Sequence, residues 1–330
     1  MSAIRHAVSM EYTLISCLKK QVRTVAASLA GLLVPMSLVF ASERYALLIG
    51  ISEYRSPAIS RLEGPAHDLV TLKRTLLRDW HFDSDRVTTL LNHQATKANI
   101  MQSLNDVLER SNSGDYVLLY FSGHGTSAYD PEQLWPMPYD TGAVVPHDAL
   151  MNAQREVDRV ISGRQDIRPV FKQLDDRGVN VLAILDTCYS EHGTRTLAQA
   201  SYRGLSGELP LVRSQAAAKP ATYPYQNIYM IAAAGADELA LDLDHKVAHR
   251  YPTFDQVPHG ALTDSLLRVI TGNVAGDQDK DGTLTHQELF EAARQFMSAR
   301  GYQQRPRAYP LIGADSGLSG QLPLFGSHLP

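Results

Sequence analysis

Cys188 and His124 are the two residues whose types and positions best suit nucleophilic catalysis. The segment 179–185 is apolar but for one asparagine, which is typical of a buried parallel strand, and it ends shortly before Cys188. A second apolar segment, 116–121, ends shortly before His124. Because the carboxyl ends of parallel strands share one edge of a sheet, we expect the imidazole and the thiol to lie side by side. A thiol beside a base is the arrangement of a cysteine hydrolase.

Alternating strand and helix patterns surround both residues and predict an α/β fold with a mostly parallel central sheet and helices on both faces. The predicted strands are 45–51, 87–91, 116–121, 179–185 and 228–233. The predicted helices are 66–80, 96–110, 166–177, 260–271 and 288–300. Thr96 is the predicted N-terminal cap of the second one. Segments 126–157 and 190–226 interrupt this alternation. We predict that they are loops that line or cover one cleft at the same edge of the sheet.

The N-terminus has the layout of a secretory signal peptide. Basic residues up to Arg23 precede the uncharged segment 24–40, and small residues then lie near Ala41. We therefore predict a signal peptide over 1–41 and a secreted or periplasmic protein. The alternative is an uncleaved membrane anchor, but the apolar part is short for a span and contains Pro35.

Removal of this segment changes the charge and the cysteine content of the chain. Residues 1–41 carry four basic side chains and one acidic one, so the formal net charge changes from −4 to −7. This balance argues against a nucleic-acid partner and permits cationic substrates. Cys17 is lost as well, which leaves Cys188 without a partner for an internal disulfide. An unpaired cysteine in an exported chain points to a reactive thiol.

Two motifs in this context resemble those of a known family. Ser122-Gly-His124-Gly125 and Asp186-Thr-Cys188-Tyr-Ser190, each after an apolar strand, resemble the catalytic motifs of the caspase-like cysteine peptidases, family C14. The similarity is greatest to the metacaspase-like (orthocaspase) branch of bacteria. The resemblance extends from about residue 44 to residue 311. Further segments that resemble elements of the family are 45–51, 64–68, 228–234, 259–266 and 304–306. The segment 304–306 corresponds to the last strand of the family fold.

The resemblance implies a caspase-like three-layer sandwich over 42–311, followed by a C-terminal tail over 312–330. Two features depart from true caspases. The histidine and the cysteine are 64 positions apart, where caspases have about 50, and the Gln-Ala and Arg-Gly around the nucleophile are absent. Glu191 also stands where most relatives have glycine. Its carboxylate would either repel the thiolate or point to solvent.

The family chemistry, carried over to these residues, is peptide hydrolysis without a required cofactor. His124 would take the proton of Cys188, and the thiolate would attack the peptide carbonyl. The backbone N–H groups of Gly125 and Cys188 would form the oxyanion hole. The sequence identifies no third member of a catalytic triad.

Acids at two positions that match the metacaspase pattern imply a pocket for Arg or Lys before the cut bond. Asp186 lies two residues before the nucleophile, on the same side of its strand. Asp68 is the second acid, although a carboxylate near a helix start also caps the helix or stabilises its dipole. The loop after the nucleophile carries Arg195, Arg203, Arg213 and Lys219, and we predict self-cleavage there.

Residues 277–288 match the loop of an EF-hand. The acids Asp277, Asp279, Asp281 and Glu288 occupy positions one, three, five and twelve, with glycine sixth and the carbonyl of Thr283 as a further ligand. Ca²⁺ is the ion that this pattern indicates. The alternative is an acidic turn and helix cap without an ion, because EF-hands normally occur in pairs and the sequence shows one.

Together these patterns predict an exported cysteine endopeptidase of the caspase or metacaspase type that cleaves proteins or peptides after Arg or Lys. It would have no nucleic-acid partner and no stable membrane span once the signal peptide is removed. The main alternative is a catalytically silent caspase-fold protein that binds calcium or a partner. A weaker one is a calcium-regulated adhesion or envelope module.

Overall fold

A central sheet of six strands organises the protein in the computed structural model, which describes residues 42–127, 142–152, 157–188, 201–203, 225–234, 239–310 and 318–326. In chain order the strands are β1 (Arg44–Gly50), β2 (Val87–Leu91), β3 (Tyr116–Ser122), β4 (Gly125–Ser127), β5 (Gly142–Val144), β6 (Ile161–Ser162), β7 (Asn180–Asp186), β8 (Ser201–Tyr202), β9 (Ile228–Ala232), β10 (Leu241–Leu243), β11 (His259–Gly260) and β12 (Arg307–Tyr309). The central sheet has the order β12-β9-β7-β3-β1-β2. Its neighbouring strands are parallel except β12, which pairs antiparallel with β9.

Helices cover both faces of the sheet, as the alternating pattern predicts. They are α1 (Gly64–Arg78), α2 (Lys97–Arg110), α3 (Arg168–Asp176), α4 (Ala261–Ile270) and α5 (His286–Ala299), with single turns at 84–86, 92–94, 163–167, 318–321 and 324–326. The apolar sides of α1, α4 and α5 pack on one face, and those of α2 and α3 pack on the other. The predicted α/β sandwich with a mostly parallel sheet is confirmed.

Strand β3 shows why apolar runs mark the central strands. Leu118 and Tyr120 pack with the α1 side, whereas Val117 and Phe121 pack with the α2 side. All of these side chains are buried because helices cover both faces, so an alternating polar pattern is not expected. Helix α2 begins as predicted, since the hydroxyl of Thr96 accepts a hydrogen bond from the backbone N–H of Asn99.

Two small sheets lie beyond the central one, with the orders β4-β5-β6 and β11-β10-β8. Strands β5 and β8 fall inside the segments 126–157 and 190–226, which the sequence predicts as loops. Both strands are two or three residues long, too short for a periodic signal in the sequence. Glu191, Arg195, Arg213 and Lys219 lie outside the described residues.

The last strand is β12, so the prediction of a strand at 304–306 is wrong by three residues. Pro306 has no backbone N–H to donate to the ladder, and pairing starts directly after it. Gln304 is buried and has a different role, because its side-chain amide joins the backbone N–H of Leu241 to the carbonyl of Ala233.

The segment 318–326 packs against the sheet, although the sequence predicts a tail over 312–330. Phe325 is fully buried and makes edge-on ring contacts with Trp80, Phe82 and Tyr116. The described part of this segment therefore belongs to the hydrophobic core on the face of the sheet that α1 covers.

The predicted signal peptide, with Cys17, lies outside the described residues. Among the helices of the described ranges, none has the length and apolarity needed to cross a bilayer.

Phe325→Ala is expected to lower the free energy of unfolding by about 3–5 kcal/mol, because it empties a buried aromatic site. Leu318→Ala is the matched control in the same segment, since Leu318 is 83% exposed. Chemical denaturation of both variants measures the difference. Equal stabilities would show that the segment 318–326 does not contribute to the core.

Candidate active site

The register of β3 and β7 aligns the two predicted catalytic residues. Ser122 and Asp186 are partners at the ends of these parallel strands. His124 and Cys188 each follow two residues later, and both side chains are buried. Neighbouring strand ends thus carry the imidazole and the thiol at one edge of the sheet.

His124 is held as a neutral imidazole with a defined tautomer. Its Nε2 lies 2.8 Å from the carbonyl oxygen of Ser60, which can only accept, so Nε2 carries the proton. Burial lowers the pKa of His124 to about 4. Within the described residues Nδ1 has no hydrogen-bond partner, so its lone pair is available to take a proton. The hydroxyl of Tyr54 accepts the backbone N–H of His124 at 2.7 Å and fixes its loop.

Cys188 is a buried, protonated thiol. Its Sγ accepts the backbone N–H of Ala240 and donates to the carbonyl of the same residue at 3.3 Å. Burial raises the pKa of the thiol to about 12. Both hydrogen bonds that the structure gives Sγ therefore go to Ala240, and the thiol is not a nucleophile in this arrangement.

One backbone carbonyl, that of Arg203, is held by two N–H groups beside the thiol. Its oxygen accepts from Gly125 N at 3.1 Å and from Cys188 N at 3.4 Å. A Cβ at position 125 would collide with the carbonyl of Cys188 and the hydroxyl of Thr187, so only glycine permits this approach. Two N–H groups directed at one carbonyl can stabilise the oxyanion that forms when a nucleophile attacks it.

The side chain of Arg203 enters a fully buried cluster of acids. Its guanidinium lies 2.9 Å from Asp68, 3.3 Å from Asp186 and 2.8 Å from Asp242, and each of these side chains is inaccessible to solvent. Buried carboxylates need a cation, and the guanidinium supplies it. The two predicted pocket acids thus lie in one pocket, which the chain's own arginine fills.

The ionisation of Asp68 reflects its many partners. Burial raises its pKa, but the charge of Arg203 and the hydrogen bond from His259 outweigh burial and lower the pKa to about 2. The hydroxyl of Ser122 and the backbone N–H of Gly260 also donate to this carboxylate. Asp68 is the fifth residue of α1 and does not cap it, so the alternative role as a helix cap is not what the structure shows.

Asp186 is fixed by the start of α4. Its Oδ2 accepts from the backbone N–H of Thr263 at 3.0 Å and from the hydroxyl of the same residue at 2.6 Å. Burial raises the pKa of Asp186 to about 6, and Arg203 opposes this rise only in part. A Cβ at Gly260 would collide with both Asp186 and the guanidinium, so this glycine allows α4 to begin at the pocket.

Ser60, Asp242 and His259 were not predicted as site residues. Ser60 orients the imidazole, and Asp242 and His259 complete the acid cluster. Arg203 was predicted only as a basic residue of the self-cleaved loop, not as the occupant of the pocket. The sequence offers a faint signal for Asp242, an acid between two leucines in a short apolar strand. A buried acid in such a strand requires a partner, but the sequence does not say which one.

The predicted calcium loop folds as a compact turn at the start of α5. Asp277, Asp279 and Asp281 each bring a carboxylate oxygen within 4.8 Å of the others. Glu288 accepts from the backbone and hydroxyl of Thr285, which caps α5 in turn. Three carboxylates and this acid are a donor set that suits a hard cation such as Ca²⁺.

A segment from outside the loop pairs with its end. Thr285 forms a β-bridge with Pro323, and the backbone N–H of Leu324 donates to the carbonyl of Leu284. The segment 318–326 therefore holds the end of the loop where α5 begins.

Known proteins with similar sequences share this domain. A family model described as the caspase domain matches residues 43–311. The chain belongs to the caspase-domain family, peptidase C14. The matched range contains both strand-end motifs, the acid cluster and the loop 277–288.

Curated relatives align over less than half of the chain. Metacaspase-1 of Eremothecium gossypii is 26% identical over 162 residues, which is 44% of this chain and 32% of that protein. Metacaspase-9 of Arabidopsis thaliana is 28% identical over 155 residues, which is 45% of this chain and 43% of that protein. The aligned part therefore spans under half the length of these relatives.

A solved structure supports the fold over most of the chain. The crystal structure of a Geobacter sulfurreducens protein superposes with a TM-score of 0.51 at 18% identity and covers 81% of this chain and 92% of that one. At this identity the likeness concerns the caspase fold alone.

The buried thiol leads to a prediction for the intact chain starting at Ser42, whose only cysteine is Cys188. Alkylation by iodoacetamide at pH 7.5 is expected to be at least ~10²-fold slower than in the chain unfolded in guanidinium, because the thiol is inaccessible and its pKa is raised. The rate should keep rising above about pH 10, where an ordinary thiol is almost fully ionised and its rate levels off. Mass spectrometry follows the label and shows that the chain is intact. Equal rates in the folded and unfolded chains would contradict the geometry described above.

Proposed function

We propose that this caspase-domain protein is a cysteine endopeptidase that uses Cys188 and His124 to cut after Arg or Lys. The observation that carries the proposal is the position of Arg203. Its carbonyl accepts from the N–H groups of Gly125 and Cys188, and its side chain fills the acid pocket. The residue before a cut bond must satisfy both conditions at once. Arg203 is therefore bound as a substrate's own arginine would be.

The proposed chemistry follows from the proton positions. With Nε2–H of His124 held by Ser60, the free Nδ1 takes the proton of Cys188 once the thiol leaves the backbone of Ala240. The thiolate attacks the carbonyl, and the oxyanion is stabilised by the N–H groups of Gly125 and Cys188. The imidazolium then protonates the leaving amine, and water hydrolyses the thioester.

Occupation by Arg203 implies a self-blocked state of the uncut chain. A substrate arginine needs the same acids and the same two N–H groups, so it competes directly with Arg203. The carbonyl of Arg203 lies against the N–H groups of Gly125 and Cys188, and we therefore assign self-cleavage to the peptide bond that follows Arg203.

The catalytically silent alternative is not favoured, because the histidine, the cysteine and a pocket filled by a basic residue are all present. It predicts no cleavage with any basic substrate. No observation supports the other alternative, a calcium-regulated adhesion or envelope module.

Export through removal of residues 1–41 remains part of the proposal. Its support is the basic and then apolar pattern of that segment and the small residues near Ala41. A mature chain would begin at or near Ser42, whereas an anchored form would keep the segment.

The proposal also includes a calcium site at 277–288, and its support is the group of carboxylates that lie close together there. Asp277, Asp279 and Asp281 would bind the ion with Glu288 and the carbonyl of Thr283. The ion would stabilise the loop and supply no step of the peptide hydrolysis.

Cys188→Ala and His124→Ala are each expected to lower turnover at least ~10³-fold, because the nucleophile or its base is lost. The measurement is a peptide-library digest, in which the intact protein cuts after Arg or Lys. N-terminal sequencing of the self-cut protein should identify Gly204 as a new start, and the Cys188→Ala chain should stay whole. Cleavage by both alanine variants, or preference for Asp before the cut bond, would refute the proposal.

We expect Ca²⁺ to bind weakly to the loop 277–288 and to raise the melting temperature of the protein. Calorimetry and thermal denaturation with Ca²⁺ measure both effects. Asp279→Asn should weaken binding at least tenfold because it removes one charge from the ligand set. Asp176→Asn, at an exposed acid paired with Lys172 on α3, is the matched control. No heat at millimolar Ca²⁺ would reject the site.

A further inference from the structure

The loop between β1 and α1 holds His124 at several points. The carbonyl oxygen of Ser60 accepts Nε2–H of the imidazole at 2.8 Å, and the hydroxyl of Ser60 lies 3.2 Å from the same nitrogen. Tyr54 contacts the rest of the residue. Its hydroxyl accepts the backbone N–H of His124 at 2.7 Å, and its ring centroid lies 5.1 Å from that of the imidazole. One loop therefore contacts both the main chain and the side chain of His124.

The hydroxyl of Tyr54 takes the place of a strand partner. Strand β3 ends at Ser122, whose carbonyl accepts the backbone N–H of Ile51. The N–H of His124, two residues further on, donates to the phenol oxygen instead. A Cβ at Gly123 would lie 2.9 Å from this oxygen, so glycine allows the close approach. The backbone of this motif is thus shaped to accept the hydroxyl.

Tyr54 itself lies on a segment that is tied to the sheet. The side-chain oxygen of Asn92 accepts the backbone N–H groups of Ser52 and Glu53. The backbone N–H of Leu62 donates to the carbonyl of Ser52, which closes the loop. Tyr54 also packs against the apolar cluster on the α2 side of the sheet. Its hydroxyl therefore has a defined position relative to the strand ends.

We propose that Tyr54 is a positioning residue that directs the Nδ1 lone pair of His124 toward the thiol of Cys188. The inference rests on the proposed function. One hydrogen bond at Nε2 leaves the imidazole free to swing about the carbonyl of Ser60. The hydroxyl of Tyr54 fixes the main chain from which the imidazole extends, and its ring limits the swing. A displacement of about 1 Å at a reacting group costs on the order of 10²-fold in rate.

The same contact bears on the N–H group proposed to stabilise the oxyanion. Gly125 directly follows the residue that Tyr54 holds, and its N–H donates to the carbonyl of Arg203 at 3.1 Å. The carbonyl of His124 accepts the backbone N–H of Val145, so the peptide groups on both sides of this residue are held. Movement of His124 would shift the base and the oxyanion donor together. We therefore expect the hydroxyl to act on the chemical step and not on substrate binding.

A purely structural role for the hydroxyl makes a different prediction. Loss of one half-buried hydrogen bond lowers the melting temperature and leaves kcat of the folded protein unchanged. Loss of a positioning contact lowers kcat, leaves KM nearly unchanged and lets the imidazole adopt its other tautomer. The value of kcat and the tautomer therefore separate the two roles.

The kinetic test removes the hydroxyl alone with Tyr54→Phe. For a peptide with arginine before the cut bond, kcat is expected to fall at least ~10-fold while KM changes less than about twofold. The reason is that the hydrogen bond of Tyr54 goes to His124 and not to an acid of the pocket. Tyr45→Phe is the matched control. The hydroxyl of Tyr45 donates to the carbonyl of Arg110 at 3.2 Å near the start of β1, so kcat should equal that of the wild-type protein.

NMR spectroscopy gives the second measurement, on the Cys188→Ala chain, which stays whole. The nitrogen shifts of an imidazole report which of its two nitrogens carries the proton. His124 is expected to show the Nε2–H tautomer alone when Tyr54 is present, and a mixture of both tautomers after Tyr54→Phe. The chain with Tyr45→Phe should match its parent.

Each outcome decides the inference. An unchanged kcat in Tyr54→Phe, a loss that lies in KM, or a single Nε2–H tautomer in that variant would overturn it while the peptidase proposal stands. No cleavage by the wild-type protein would overturn the peptidase proposal, and the tautomers would still show whether Tyr54 positions the imidazole. If Tyr54→Phe does not fold, Gly123→Ala is the second variant, because its Cβ displaces the same hydroxyl and the same results are expected.

Discussion

The buried guanidinium of Arg203 connects the parts of the molecule that make the site. It joins Asp68 on α1, Asp186 at the end of β7 and Asp242 on β10. Three carboxylates without solvent would repel one another, so the arrangement is stable only with a cation among them. Because the acids lie on separate elements, the cation also fixes how α1, the central sheet and the small sheet meet. In the proposed function, the same requirement lets the pocket bind a basic side chain of a substrate when Arg203 leaves.

Burial also controls the ionisation of His124 and Cys188. In the described arrangement both His124 and Cys188 are neutral, since burial lowers the pKa of the imidazole and raises that of the thiol. An ion pair of thiolate and imidazolium does not form while Sγ is bound to the backbone of Ala240. In the same state the carbonyl of Arg203 accepts from the N–H groups of Gly125 and Cys188, and its side chain fills the acid pocket. Inactivity of the thiol and occupation of the site are therefore two aspects of one conformation.

The acidic loop 277–288 is held by a segment that lies outside the family match. Leu284 and Thr285 at the end of the loop pair with Leu324 and Pro323. Phe325 follows at once and enters the core beside Trp80. The loop is thus tied to the domain core through residues that the family match does not include.

The sequence alone determined the five parallel strands of the central sheet, the helices on both faces and the two strand-end residues, because continuous apolar runs and helical periodicity are local signals. It also predicted Asp68 and Asp186 as pocket acids, through resemblance to a family rather than from spacing. Only the tertiary structure decided what these acids bind. Arg203 lies 135 positions from Asp68, and Asp242 lies 178 from Gly64. Contacts between residues so far apart in the chain produce no periodic pattern in the sequence. A buried ion cluster depends on which elements the fold brings together, and the packing of 318–326 depends on the same long-range geometry.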